Sequence, residues 1–189
     1  MDDPSGIAAQ TQENLRQLLG QRLLGSRNFC ETRHFYFGEP SLAAGLREPC
    51  YTLGLECPWR IQTAERIIVG SEDYYQRADD NTDPLWEPGA ESGHLQDQGL
   101  AEWLGELKDG DVINTGPGLI VNSVEADRYG GFQIRLTGGY SIAVVPCSRD
   151  QMEWIFMLPG GGSLMLIDGA PTRSGSSRPP SPPTMPTAT

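Results

Sequence analysis

The chain has 189 residues, is 38% hydrophobic and 21% charged, and carries a formal net charge of −11. That is enough sequence for one ordinary domain with a real core. The negative balance argues against nucleic acid, whose phosphates it would repel, and against anionic membrane surfaces. It leaves a basic protein or a metal cation as the partner classes that electrostatics favours.

Residues 1–12 show neither a cationic start nor an apolar core, so no secretory signal is expected. No apolar run approaches the length of a membrane span. A soluble, cytoplasmic protein is therefore expected. In that setting Cys30, Cys50, Cys57 and Cys147 read as reduced thiols serving as small hydrophobes.

A flexible segment is expected over residues 1–10. A short helix follows, with Thr11 as its cap, Leu15, Leu18 and Leu19 as its apolar stripe and Gly20 as its stop. Residues 21–29 and 33–37 read as two strands of a hairpin. The clearest strand is 51–62, where Tyr51, Leu53, Leu55, Cys57, Trp59 and Ile61 alternate with polar or small residues without a miss. Pro58 cannot donate a ladder bond, so this strand must be an edge there or bulge. The turn 63–65 leads into residues 66–70 as a second hairpin.

Residues 71–94 fit no periodic pattern and read as a long acidic loop. Over residues 72–111 twelve carboxylates stand against Arg77 and Lys108, a net of −10 out of −11. Such a block suggests a functional face. A helix is then expected over 95–107, with Leu100, Trp103, Leu104 and Leu107 on one side and 109–111 ending it.

From Val112 onward the pattern is an antiparallel meander with strands at 119–126, 132–136 and 140–145. A three-residue loop, Thr137-Gly138-Gly139, keeps Ile134 opposite Ile142 and Phe132 opposite Val144; a two-residue loop would put the apolar faces out of phase. Residues 152–158 read as a strand covered on both faces, and Gly160-Gly161-Gly162 as a linker. The fold is expected to end near Ile167, giving a domain over 11–168. Residues 169–189, rich in Pro, Ser, Thr and Gly, are expected to be disordered. The run from Arg178 to Pro183 has the composition of a polyproline helix that could dock in an aromatic groove. The fold class is α+β, one domain, mainly antiparallel sheet with one or two short helices.

The candidate chemistry is sparse. Asp79-Asp80-Asn81-Thr82-Asp83 begins like a calcium loop, but Pro84 and Ala90 stand where glycine and glutamate are required, which excludes an EF-hand. A looser cation site would use Asp79, Asn81, Asp83 and His94. Zinc has only Cys50, Cys57, His34 and His94 to draw on, without ligand spacing. No nucleophile motif or phosphate loop is present, and a Cys147–histidine dyad would depend on folding. The nearby carboxylates would favour the charged form of His94, read as a partly exposed loop histidine. Arg60 is placed to pair with Glu72 or Asp73 and so to anchor the acidic loop. Tyr74, Tyr75 and Trp86 either supply aromatic contact surface within that loop or fold inward to pin it.

The strand Leu53-Gly-Leu-Glu-Cys-Pro-Trp-Arg-Ile61, the run Arg66-Ile-Ile-Val-Gly-Ser-Glu-Asp-Tyr-Tyr75, the segment Val124 to Phe132 and Glu153-Trp-Ile-Phe156 occur together. In that combination the chain resembles a family of small bacterial proteins, frequent in actinobacteria. That family has a CPWRI strand, a GS-x-D-x-Y segment and a glycine-rich terminal meander. The resemblance spans about residues 20–159. It implies a bacterial source and a compact α+β domain, and it brings no catalytic residues and no established activity.

The expectation from sequence is a non-enzymatic acidic binding protein without a cofactor, of the immunity type that captures a basic protein such as a nuclease. Its contact residues would be Glu72, Asp73, Tyr74, Tyr75, Asp79, Asp80, Asp83 and Trp86. The alternatives are a metal-assisted hydrolase using Asp79, Asp83 and His94, and an accessory module without a site.

Overall fold

Alternating apolar residues here build two antiparallel sheets that share one core. The computed structural model describes residues 4–29, 31–39, 51–78, 94–116, 118–148, 151–159, 161–167 and 170–174. It contains α1 (Pro4–Leu15), β1 (Leu23–Phe29), β2 (Thr32–Phe37), β3 (Tyr51–Leu55), β4 (Trp59–Gln62), β5 (Ile67–Gly70) and α2 (Leu95–Leu104). These are followed by β6 (Gly105–Lys108), β7 (Asp111–Asn114), β8 (Val121–Ala126), β9 (Phe132–Leu136), β10 (Ser141–Val144), β11 (Met152–Met157), β12 (Ser163–Ile167) and β13 (Ala170–Ser174).

The larger sheet has the order β13-β12-β11-β3-β2-β1-β7-β6 and the smaller β5-β4-β10-β9-β8. Every named pairing is antiparallel. One apolar cluster draws on Phe35, Leu53 and Trp154 of the larger sheet and on Trp59, Ile134 and Ile142 of the smaller. Two edge-to-face aromatic contacts cross between the sheets: Phe35 on Trp59 at 5.2 Å and Phe132 on Trp154 at 5.4 Å. Trp154 is fully buried, and its indole N–H is satisfied by the Gly130 carbonyl at 2.9 Å. The protein is a single-domain α+β fold, as the alternation implies.

The meander follows the expected register. Ile142 lies opposite Ile134 and Val144 opposite Phe132, and the Leu136 N–H donates to the Tyr140 carbonyl at 2.8 Å. Gly138 and Gly139 take φ of 77° and 80°, which only glycine adopts without cost. The hairpin of β4 with β5 also forms as expected.

Five expectations need correction. The continuous strand over 51–62 is two strands in different sheets, broken at Glu56-Cys57-Pro58. The alternation survives because Leu53, Leu55, Cys57, Trp59 and Ile61 all face the shared core as the chain passes from one sheet to the other. The first helix begins at Pro4, not after Thr11. Thr11 is fully buried and continues the stripe of Leu15 and Leu18, so the polar residue concealed the helical period.

The second helix stops at Leu104, and Leu107 lies on β6. Asp109 and Gly110, with φ of 52° and 79°, make the two-residue turn that pairs Lys108 with Asp111. Asp-Gly is a hairpin signal, and here it outweighs helical spacing. On β11, Ile155 and Met157 are only half-buried, so its outer face is not fully covered. Residues 170–174 pair with β12, although the segment was expected to be disordered. Backbone groups on a sheet edge need no apolar side chains to recruit a strand. Residues 175–189, including Arg178 to Pro183, lie outside the described residues.

Candidate functional site

A charged residue in the apolar phase of a strand organises the region around the acidic segment. On β2, Arg33 alternates with Phe35 and Phe37 and so points into the protein, where it is 1% exposed. Its Nη2 donates to Asp97 Oδ1 at 2.6 Å and to Gln96 Oε1 at 2.6 Å, and its Nε donates to the same Gln96 oxygen at 2.9 Å. Gln96 and Asp97 are adjacent residues in the first turn of α2, where a carboxylate also complements the helix dipole. The Gln96 amide then donates to the carbonyls of Gly70 and Ser71, both at 3.1 Å. One guanidinium thus ties the larger sheet, α2 and the end of β5 together. Burial pulls Arg33 below its usual range while Asp97 opposes that shift; guanidinium remains cationic at neutral pH.

His94 precedes α2 and is 3% exposed. Its ring lies 4.7 Å from that of Tyr74, and its Nε2 is 3.5 Å from Asp97 Oδ2. The expectation of a partly exposed, readily charged histidine is overturned: burial lowers its affinity for a proton by more than Asp97 raises it. Among the described residues Arg60 forms no ion pair with Glu72 or Asp73. Its Nε donates to Gln62 Oε1 at 2.6 Å, and the Asp73 carboxylate instead accepts the Gly70 N–H at 2.8 Å. Tyr74 is buried, so of the two tyrosines only Tyr75 faces solvent, at 56% exposed.

Above this cluster the sheet-to-sheet crossing Glu56-Cys57-Pro58 opens a surface groove of two compartments. Both are lined by Glu31, Glu56, Cys57, Pro58 and Tyr75. One compartment continues to Ser71, Glu72 and the buried Arg33 cluster; the other continues to Cys147, Ser148 and Glu153. The Tyr75 phenol is pushed upward, first by partial desolvation and then by the negative charges of Glu31 and Glu72. Among the described residues none of Glu31, Glu56 and Glu72 is in an ion pair; Glu56 accepts only the Thr32 hydroxyl at 3.3 Å.

Glu153 forms the wall of the second compartment and is 2% exposed. Its carboxylate accepts the backbone N–H groups of Cys147, at 3.3 Å, and of Ser148. Its backbone oxygen accepts those of Glu56 and Cys57, both at 3.0 Å.

Of the expected contact set, Glu72 and Tyr75 line the groove beside Glu31 and Glu56, while Asp73 bonds the Gly70 N–H and Tyr74 is buried. Glu31 sits in the β1–β2 turn and Glu56 at the crossing, so no window along the sequence brings them near residue 72. Asp79, Asp80, Asn81, Asp83 and Trp86 lie outside the described residues, as does Cys50. No histidine lines the Cys147 compartment. Among the described residues no group of three or more His, Cys, Asp or Glu side chains is placed to hold a metal, and no helix is long and apolar enough to cross a membrane. Comparison of the chain with family models, curated proteins and solved structures found no match.

Two predictions follow from the buried cluster. Arg33→Met leaves the Asp97 carboxylate buried without its guanidinium partner and should cost about 3–5 kcal/mol in urea unfolding. Adding Asp97→Leu should recover most of that loss, and a double variant no better than the single one would contradict the pairing. The second concerns pH. His94 and His34 both have lowered proton affinity in the fold, so below the ordinary value of 6.5 the unfolded chain binds more protons than the native one. Their contribution is complete above pH 6.5 and is lost as pH falls below it, at no more than about 1.4 kcal/mol per pH unit for His94. Urea midpoints measured from pH 7.5 to 5.5 should fall, less steeply in His94→Gln; a flat or rising profile would refute the assignment.

Proposed function

We propose that this is a non-enzymatic binding protein whose acidic groove captures a basic protein partner, in the manner of immunity proteins that block a toxin. One observation carries the reading: Glu31, Glu56 and Glu72, without cationic partners among the described residues, edge a single groove beside the exposed ring of Tyr75. Carboxylates that no cation among the described residues neutralises are available to Lys and Arg of a partner. An aromatic ring within a charged rim supplies the apolar contact that binding hot spots use.

The groove is open, with one compartment of about 540 Å³, which suits protruding side chains of a protein better than an enclosed metabolite. We take the encounter to occur in the bacterial cytoplasm. The hydrolase alternative draws less support, since His94, the described member of its set, is turned inward against Tyr74 and Asp97.

A photo-crosslinking residue at position 75 tests the proposal in the native host, with a control at Glu125 on the far edge strand of the smaller sheet. Position 75 should trap a basic protein and position 125 should not. The triple change Glu31→Lys, Glu56→Lys, Glu72→Lys should slow association about 10-fold or more at low salt. A partner that is acidic, or whose capture survives the charge reversal, would overturn the reading.

A further inference from the structure

Two of the places where the chain passes between its sheets are Glu56-Cys57-Pro58, from β3 to β4, and the stretch from β10 to β11. Each crossing carries one cysteine, and the two are neighbours: the Val145 N–H donates to the Pro58 carbonyl at 2.9 Å. Both thiols are free and line the same groove compartment, Cys57 buried and Cys147 exposed. Glu153 holds both crossings, through its backbone oxygen at Cys57 and its carboxylate at the Cys147 N–H. The charge of the same carboxylate acts on the Cys57 thiol.

We infer that Cys57 and Cys147 are a redox pair that closes to a reversible disulfide across the two sheet crossings, with Glu153 as the proton acceptor. Exposure makes Cys147 the site of first attack. Its thiolate displaces hydroxide from hydrogen peroxide, the oxidant of this step, and becomes a sulfenic acid; the hydroxide and the thiol proton leave as water. Cys57 then attacks the Cys147 sulfur, its proton passes to Glu153, and the sulfenic oxygen departs as hydroxide, which takes that proton to give a second water. The balance is two thiols and one peroxide to one disulfide and two waters. Burial, reinforced by the Glu153 charge, pushes the Cys57 thiol upward, so Cys57 is protected from direct oxidation and acts only as the resolving thiol. A disulfide here closes a long loop and fastens the crossings on which the groove is built.

The test treats the folded full-length protein with hydrogen peroxide, blocks the remaining thiols and maps the bridges by mass spectrometry. The expected product is a Cys57–Cys147 peptide pair with a loss of about 2 Da, reversed by dithiothreitol. The oxidised protein should melt about 5–10 °C higher. In Cys57→Ser, Cys147 should persist as a sulfenic acid that dimedone traps. The inference is overturned if wild-type Cys147 accumulates as sulfenic or sulfinic acid while Cys57 remains free. It is equally overturned if Cys147 does not react or if the bridge formed involves Cys30 or Cys50.

Discussion

A single buried cation, Arg33, sets the geometry of everything around the acidic segment. Taking a guanidinium out of water costs several kcal/mol unless its donors are satisfied and its charge is answered. Asp97 answers the charge and Gln96 takes two of the donors, which fixes the first turn of α2 over the end of β2. Because Gln96 also bonds the Gly70 and Ser71 carbonyls, the constraint reaches the other sheet at the point where the chain turns toward Tyr75. Apolar packing alone would hold the sheets together but would not specify this orientation, since it is non-directional.

The groove is a by-product of how the chain changes sheets. Glu56, Cys57 and Pro58 lie between the two strands, and Pro58 has no N–H to donate. Their backbone groups are taken up instead by the Glu153 and Val145 backbones, leaving a concavity between the β1–β2 turn and the segment after β5. Exposed acidic groups from three separate stretches meet there. A rigid floor beneath such groups favours recognition, because little ordering entropy remains to be lost when a partner docks.

Much of the fold was legible from the sequence. Period-two alternation located β3, β4, β9 and β10, and buried-face matching gave the register of the Thr137-Gly138-Gly139 loop. What escaped it has identifiable causes. Arg33 stands in phase with Phe35 and Phe37, and a charge in an apolar phase was the available signal of a buried pair. Asp109-Gly110 follows a helical apolar spacing and so resembles a helix end, although Asp-Gly flanked by extended residues specifies a hairpin. The site was harder. The charge block drew attention to residues 72–111, yet Asp73, Asp97 and Asp111 in it serve Gly70, Arg33 and Arg27. Glu31 and Glu56 join the groove only through tertiary structure, which local charge counting cannot anticipate.

Glu31 and Glu72 converge on Tyr75, and this arrangement needs no partner to form. Titration of the Tyr75 phenol by NMR measures this most directly. The expected midpoint lies above the ordinary 10.0 and falls part of the way back in Glu31→Gln with Glu72→Gln and at high salt. A midpoint at or below the ordinary value, unmoved by either change, would contradict it.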